Sequence, residues 1–340
     1  MSATPHRKVK TALFGCGRAG RIHLRNSLAT NKIKIVWIVD PVPELASVAA
    51  SQYEGCRATS SADEALNDPE VEAVIVASPT HTHYDIIMKA IARGLPIMAE
   101  KPVGSSLQEI DAVFAASAEK GVPLFVAFNR RFDPSWRHAH QQVAAGKIGT
   151  PLIMLTTARD NPPPTAEYLK SSQGYYLDAA IHDIDVIRWV LGMEPESVFA
   201  YAHAHSKVVA DIGDVDVVII SYKFKNGCVA TTNLSRISPY GYDQRIEVFG
   251  DKGMVQVHNP ATTTCQTWDS TGCLAQTNKP SFPERFQEAY VAELEHFYDI
   301  VVSGATPLLT HADSRNTYLI AEAARQSQIT GKPVTIDYSA

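Results

Sequence analysis

Between residues 9 and 128, short apolar runs of strand length alternate with stretches of helix length. This alternation constrains the fold more than any other feature of the 340-residue chain. The runs Val9–Phe14, Ile33–Val39, 73–77, 96–99 and Leu124–Ala127 are almost wholly apolar. Continuous apolarity, rather than every second residue, is what a strand covered on both faces requires, as in a parallel sheet. Helix-length stretches near 18–29, 42–52, 61–67, 80–93 and 105–120 separate them. The order predicts a doubly wound parallel α/β sheet with right-handed crossovers.

The pattern changes after residue 129. A helix is expected over 133–145 and a long helical stretch over 174–191. Strand candidates lie at 152–158, 197–205, 215–224, 228–235, 245–249 and 254–258, with turn signals at Lys225-Asn226-Gly227 and Asp251-Lys252-Gly253. Helical patterns at 284–303 and 311–330 close the chain. The expectation is two domains: a Rossmann-type domain over 1–129 and, over 130–340, an α+β domain with an open-faced, mainly antiparallel sheet.

Gly15-Cys16-Gly17-Arg18-Ala19-Gly20 follows the first strand and opens a helix. Gly15 permits the tight turn, Gly17 lets backbone approach a pyrophosphate, and Gly20 lets the helix pack on the strand. Asp40 ends the second strand, where an acid accepts hydrogen bonds from a ribose diol. A carboxylate there also repels a 2′-phosphate, and Pro41, Val42 and Pro43 bring no cation, so NAD is favoured over NADP. The other reading of the glycines is purely structural.

In the second half, Asp178, His182 and Asp185 fall within about 60° of one another at helical pitch. Their neighbours Leu177, Ile181, Ile184, Val186, Ile187, Trp189 and Val190 are apolar nearly all round, so the helix is expected to be buried. Buried carboxylates beside an imidazole need partners or a chemical role. One reading is a stabilising pair in a core helix. The other is proton transfer coupled to hydride transfer. Lys101, in Glu100-Lys101-Pro102, sits at the end of the 96–99 strand, where open α/β sheets bind ligands.

These motifs, with Ser78-Pro79-Thr80-His81-Thr82-His83, together resemble the Gfo/Idh/MocA oxidoreductases, from about residue 9 to the end. Within that family the chain looks most like the inositol 2-dehydrogenases, through Asn129-Arg130-Arg131-Phe132-Asp133, Tyr240-Gly241-Tyr242-Asp243 and Arg285-Phe286-Gln287-Glu288-Ala289-Tyr290. The resemblance implies a catalytic trio of Lys101, Asp178 and His182. It implies that Asn161, Asp185 and Tyr242 join the trio in reading the hydroxyls of a polyol or sugar. Cofactor contacts are expected from Gly15, Gly17, Arg18, Ala19, Gly20, Asp40, Ser78, Thr80, His83, Glu100, Lys101, Asn129, Arg130 and Tyr290. It further implies a homo-oligomer, dimer or tetramer, formed through the open sheet. Ala179 and Arg159 depart from the inositol enzymes' pattern at positions where hydroxyls would be read.

Several alternatives stay open from sequence. Tyr168, Tyr175 and His311 are further candidates for the substrate site, or packing residues. His81 and His83 lack third and fourth ligands nearby, so no metal is expected. His203 and His205 alternate on one strand and are read as a half-exposed sheet surface. A reductase of another sugar derivative and a non-catalytic dinucleotide-binding regulator are the competing functions. The 31 basic and 36 acidic residues leave a net charge of −5, which argues against nucleic acid or an anionic membrane as partner. No run is apolar enough to span a bilayer. Five scattered cysteines, at 16, 56, 228, 265 and 273, fit a reducing compartment, and a cytoplasmic location is expected.

Overall fold

The structure is a computed structural model that describes residues 7–339. The chain forms two compact units. One comprises residues up to Phe132 together with Glu288–Arg315; the other comprises Asp133–Gln287 and the residues from Asn316 on.

The first unit is built on six parallel strands: β1 (Val9–Phe14), β2 (Ile33–Val39), β3 (Arg57–Thr59), β4 (Ala73–Val76), β5 (Ile97–Glu100) and β6 (Leu124–Ala127). Their order is β3-β2-β1-β4-β5-β6, and every neighbouring pair is parallel. Helices α1 (Arg18–Thr30), α2 (Pro43–Ala50), α3 (Ala62–Leu66), α4 (His83–Ala92) and α5 (Leu107–Lys120) connect the strands. Leu13, Ile38, Ile75 and Phe125 are wholly buried, each such side chain contributing about 1.5–3 kcal/mol. The helix ends follow local chemistry. Ser106 caps α5 by accepting from the Glu109 N–H, and Gly121 ends it at φ +63°.

The second unit carries a seven-stranded sheet of β7 (Pro151–Arg159), β8 (Pro195–His203), β9 (Val217–Phe224), β10 (Val229–Ser235), β11 (Asp243–Gly250), β12 (Gly253–Val257) and β15 (Val334–Thr335). The order is β12-β11-β7-β10-β9-β8-β15. All pairs are antiparallel except β7 with β10, so the sheet is mixed and mostly antiparallel. A separate hairpin, β13 (Gln266–Asp269) and β14 (Gly272–Ala275), is exposed along its whole length. Helix α6 (Pro134–Ala144) packs on α8 (Ile181–Leu191), which lies on β7 and β10; the shorter α7 (Ala166–Ser171), α9 (Lys207–Asp211) and α10 (Phe282–Arg285) sit in the connections. Burial alternates along the strands: Met154, Thr156 and Ala158 point inward with Ala230, Thr232 and Leu234. The hydroxyls buried in this face satisfy one another, Thr156 with Thr232 and Thr232 with Tyr222, each at 3.1 Å.

After α10 the chain returns to the first unit as α11 (Gln287–Ser303), and α12 (His311–Thr330) begins there before continuing in the second. The sequence reading had one boundary near 129 and kept this helix in the second domain. A helical pattern shows that a face is buried but not in which core. Here His296 of α11 packs edge-on against Phe125 and tilted against Phe132. Among the described residues no helix is long and apolar enough to cross a membrane.

Candidate active site

In the first unit the expected cofactor residues gather at the carboxyl ends of the strands. The strand order reverses between β1 and β4, and the turns after these two strands lie side by side. A Cβ on Gly15, whose φ is +96°, would stand 2.7 Å from the Ala77 carbonyl and the Ser78 backbone. A Cβ on Gly20 would stand 2.0 Å from the Gly15 carbonyl oxygen, so the helix touches the turn there. At Gly17 the situation is opposite: no protein atom lies within 4 Å of the place a methyl group would take. Gly17 caps α1 without a side-chain hydrogen bond, and the first turn carries no acid. Open space before a helix N-terminus is what a pyrophosphate needs.

Asp40 lies just past β2, 7% exposed. Its Oδ2 accepts the Cys16 N–H at 2.8 Å and its Oδ1 accepts the Val42 N–H at 3.0 Å. The carboxylate is thereby fixed beside the glycine turn, with lone pairs left for a ribose diol. Burial, then the Asp40 charge, push the Cys16 thiol up to about 12, so it stays a neutral thiol beneath the turn. These residues fit a dinucleotide.

After β4, Ser78 Oγ pairs with Thr82 Oγ1 at 2.6 Å, and Thr80 sits in a single 3-10 turn. His83 is buried, with its ring nitrogens 2.8 Å from the carbonyls of Pro102 and Ser78, which ties together the turns after β4 and β5. Burial lowers its pKa against the pull of those two carbonyls. Glu100 ends β5, Lys101 follows half-buried, and the Lys101–Pro102 bond is cis. Asn129 and Arg130 are buried in the 3-10 turn after β6. Tyr290, on α11, sets its ring edge to His23. His311 belongs to this unit and pairs with Asp111 at 2.6 Å beside Phe114.

In the second unit the polar residues converge where β7 and β10 end. The expected helical stretch over 174–191 is continuous, but its segment Tyr176–Ala180 is wound as a π-helix, and regular α8 begins at Ile181. Asp178 therefore sits in the wider turn, and the angular argument from regular pitch applies only from His182 to Asp185. Such turns recur at functional sites. Asp178 Oδ1 accepts the Tyr168 hydroxyl at 2.5 Å, and its Oδ2 lies 3.4 Å from Arg236 Nη1. Burial and then the Asp178 charge drive the Tyr168 phenol well above its ordinary range, so it remains a donor. Asp185 is buried on α8. Asn161 donates to the Pro280 carbonyl at 2.8 Å, and Tyr242 packs between Phe282 and Phe286.

Arg236 is the residue that the sequence reading missed. It follows β10, 2% exposed, and reaches Asp178 and Asp214 at 3.4 Å each while its guanidinium lies over the Tyr175 ring at 4.3 Å. Burial works against its charge, but the acidic groups around it, Asp178 foremost, together outweigh it. An arginine just beyond a strand end was the available signal, and a weak one. Arg159 faces the other way, onto the open side of the sheet, where it donates to the Tyr240 hydroxyl at 2.7 Å. His203 and His205 stack edge to face at 4.6 Å and are exposed. No group of three or more His, Cys, Asp or Glu side chains among the described residues is arranged to hold a metal.

A glycine turn of this form on a doubly wound sheet, followed by a lysine at a strand end and an α/β unit with a half-buried Asp–His segment, defines a nicotinamide-dependent oxidoreductase. Residues 9–128 match an oxidoreductase family's NAD-binding Rossmann fold, and residues 140–336 match the same family's C-terminal alpha/beta domain. The chain belongs to the Gfo/Idh/MocA oxidoreductase family. It is 35% identical over 336 residues to scyllo-inositol 2-dehydrogenase (NAD(+)) of Bacillus subtilis, covering 97% of both chains. It is 33% identical to myo-inositol 2-dehydrogenase of Thermotoga maritima, covering 94% of this chain and 96% of that one. The structure of scyllo-inositol dehydrogenase from Lactobacillus casei, with bound NAD(H) and scyllo-inositol, superimposes with a TM-score of 0.90 at 26% identity, over 97% of this chain and 99% of that one.

Proposed function

We propose that the protein is an NAD-dependent dehydrogenase that oxidises a secondary alcohol of a cyclic polyol, myo-inositol or a related inositol or sugar, to the ketone. The observation that carries this reading is the Asp178 carboxylate, held in the π-wound turn by Tyr168 and Arg236 four residues before His182. NAD, when bound, supplies the hydride acceptor. His182 takes the hydroxyl proton, and Asp178 orients His182 and stabilises its imidazolium. Lys101 donates to the reacting oxygen and stabilises the developing alkoxide. Asn161, Asp185 and Tyr242 read the remaining hydroxyls, since a site built to hydrogen-bond a hydroxyl rejects a substrate lacking it. Asp40 selects NAD over NADP through its fixed carboxylate.

The proposal includes a homo-oligomer, dimer or tetramer, built through the open face of the second unit's sheet. Its support is the exposed apolar side chains on that face, Ile153, Leu155, Phe249 and Met254 toward one edge and Ile219 with Tyr201 toward the other. The cytoplasm is the compartment that suits five free cysteines, two of them exposed.

The test is formation of reduced nicotinamide with NAD or NADP against myo-inositol, scyllo-inositol and glucose. NAD-linked turnover of an inositol is the expected result. Lys101→Met should then lower kcat by about 10²–10⁴-fold with NAD affinity nearly intact. Equal loss of both would remove Lys101 from the chemistry. Turnover of sugars alone would move the substrate, and tight NADH binding with no turnover would favour the regulator.

A further inference from the structure

Helix α11 carries an acid within its buried stripe, and the chemistry above makes no use of it. Ala289, Tyr290, Glu293, Leu294 and Phe297 form that stripe, and Glu293 is 0% exposed. Neither carboxyl oxygen of Glu293 has a hydrogen-bond partner among the described residues. The charge that acts on it is that of a second acid, Glu100, the residue before Lys101 at the end of β5. Glu100 is answered from α1, where His23 Nε2 lies 2.9 Å from its Oε1. His23 is itself buried and meets the ring of Tyr290, one turn before Glu293, with centroids 5.9 Å apart. Lys101 adds a positive charge beside Glu100.

A carboxyl group without a partner in a dry interior does not stay ionised beside a charged carboxylate. Glu100 has the His23 hydrogen bond and Lys101 to support a negative charge, whereas Glu293 lies in an apolar stripe and meets that charge. Burial, reinforced by the Glu100 charge, accordingly raises the Glu293 pKa well above the carboxylate range. We infer that Glu293 is a positioning residue: it carries a proton, holds it toward an ionised Glu100, and so keeps one fixed negative charge beside Lys101. That charge favours the ammonium form of Lys101, which is the form that donates to a reacting oxygen. An acid kept neutral by an apolar site, and used as a donor, is an established device. The inference rests on the role proposed for Lys101.

Difference infrared spectroscopy of the full-length protein tests the protonation directly. A carboxylic-acid carbonyl band at neutral pH should be present in the wild type and absent from Glu293→Gln. Glu293→Leu, which removes the donor, should lower kcat about tenfold or more with little change in KM for NAD. Glu293→Gln, whose amide still donates, should recover most of that loss. A wild type without the band, a band unchanged in Glu293→Gln, or equal loss in both variants would overturn the inference. If Glu293→Leu does not fold, the band and Glu293→Gln decide. If no polyol is turned over by any form, the functional reading fails while the band still reports on Glu293.

Discussion

A lone buried carboxyl group makes stability depend on pH in a direction opposite to that of a paired one. Glu293 is held well above its ordinary pKa by burial and the Glu100 charge, so above about pH 4.3 the native state keeps a proton that the unfolded chain has released. Stability then falls as pH rises, by up to about 1.4 kcal/mol per pH unit until Glu293 itself ionises. Glu100 runs the other way. Burial disfavours its charge, but the His23 hydrogen bond and Lys101 outweigh that and hold its pKa low, so its contribution is present above its unfolded pKa and lost on acidification. Glu293→Gln removes only the first slope. Urea unfolding at a series of pH values from 5 to 8 should show the variant gaining on the wild type as pH rises. A constant difference would mean that Glu293 titrates alike in the folded and unfolded chain.

At the scale of elements, the glycine turn separates two roles that one motif combines. Gly17 has φ −66° and an extended ψ, which any residue adopts, and a methyl group there meets no protein atom. Gly20 has no such room, because its methyl would overlap the Gly15 carbonyl. Gly17→Ala should therefore leave the thermal midpoint nearly unchanged and weaken NAD binding about tenfold or more, as an obstacle to backbone–pyrophosphate approach. Gly20→Ala should lower the midpoint itself, by several degrees for each ~1 kcal/mol lost. Calorimetry with and without NAD measures both; a Gly17→Ala protein that binds NAD normally would show that the turn does not face the pyrophosphate. The strands around this turn were legible in the sequence because burial on both faces leaves an uninterrupted apolar run. β3 was not: it has three residues, none of them buried, at the sheet's edge. The β13–β14 hairpin was hidden for the same reason, since a wholly exposed strand has no hydrophobic period. In that hairpin Cys273 pairs with Trp268, and Cys265 and Cys273 are both free thiols. The π-wound turn leaves no compositional mark, so Asp178 is legible by its residue type, while of its neighbours Tyr168 stays open between substrate site and packing and Arg236 goes unread. Glu293 did have a signal, an acid in the apolar stripe of a helix, but no motif drew attention to it.

At the scale of the whole molecule, the open face of the second unit's sheet is the feature that an isolated chain does not explain. Ile153 pairs with Val229 and with Phe249, Phe249 with Met254, and Tyr201 with Ile219. These cross-strand contacts gather the exposed apolar side chains into two clusters on one face, with Thr231, Asn233 and Lys223 between them. Contiguous apolar surface beyond a few hundred Å² marks an interaction site in soluble proteins. A net charge of −5 keeps copies apart at long range only weakly, because salt screens it within ~8–10 Å. A second copy of the same sheet offers matching apolar area and is the partner proposed above. Leu155 and Ile219 are 43% and 42% exposed, so charging them costs the isolated fold little, within about 0.5 kcal/mol each. In an assembly the same charges would be buried face to face. Leu155→Glu combined with Ile219→Glu should therefore convert the wild-type oligomer to monomer, read by light scattering on a sizing column, with the thermal unfolding of the two units still cooperative. A wild type that is monomeric at micromolar concentration, or a double variant of unchanged mass, would assign the open face to some other partner.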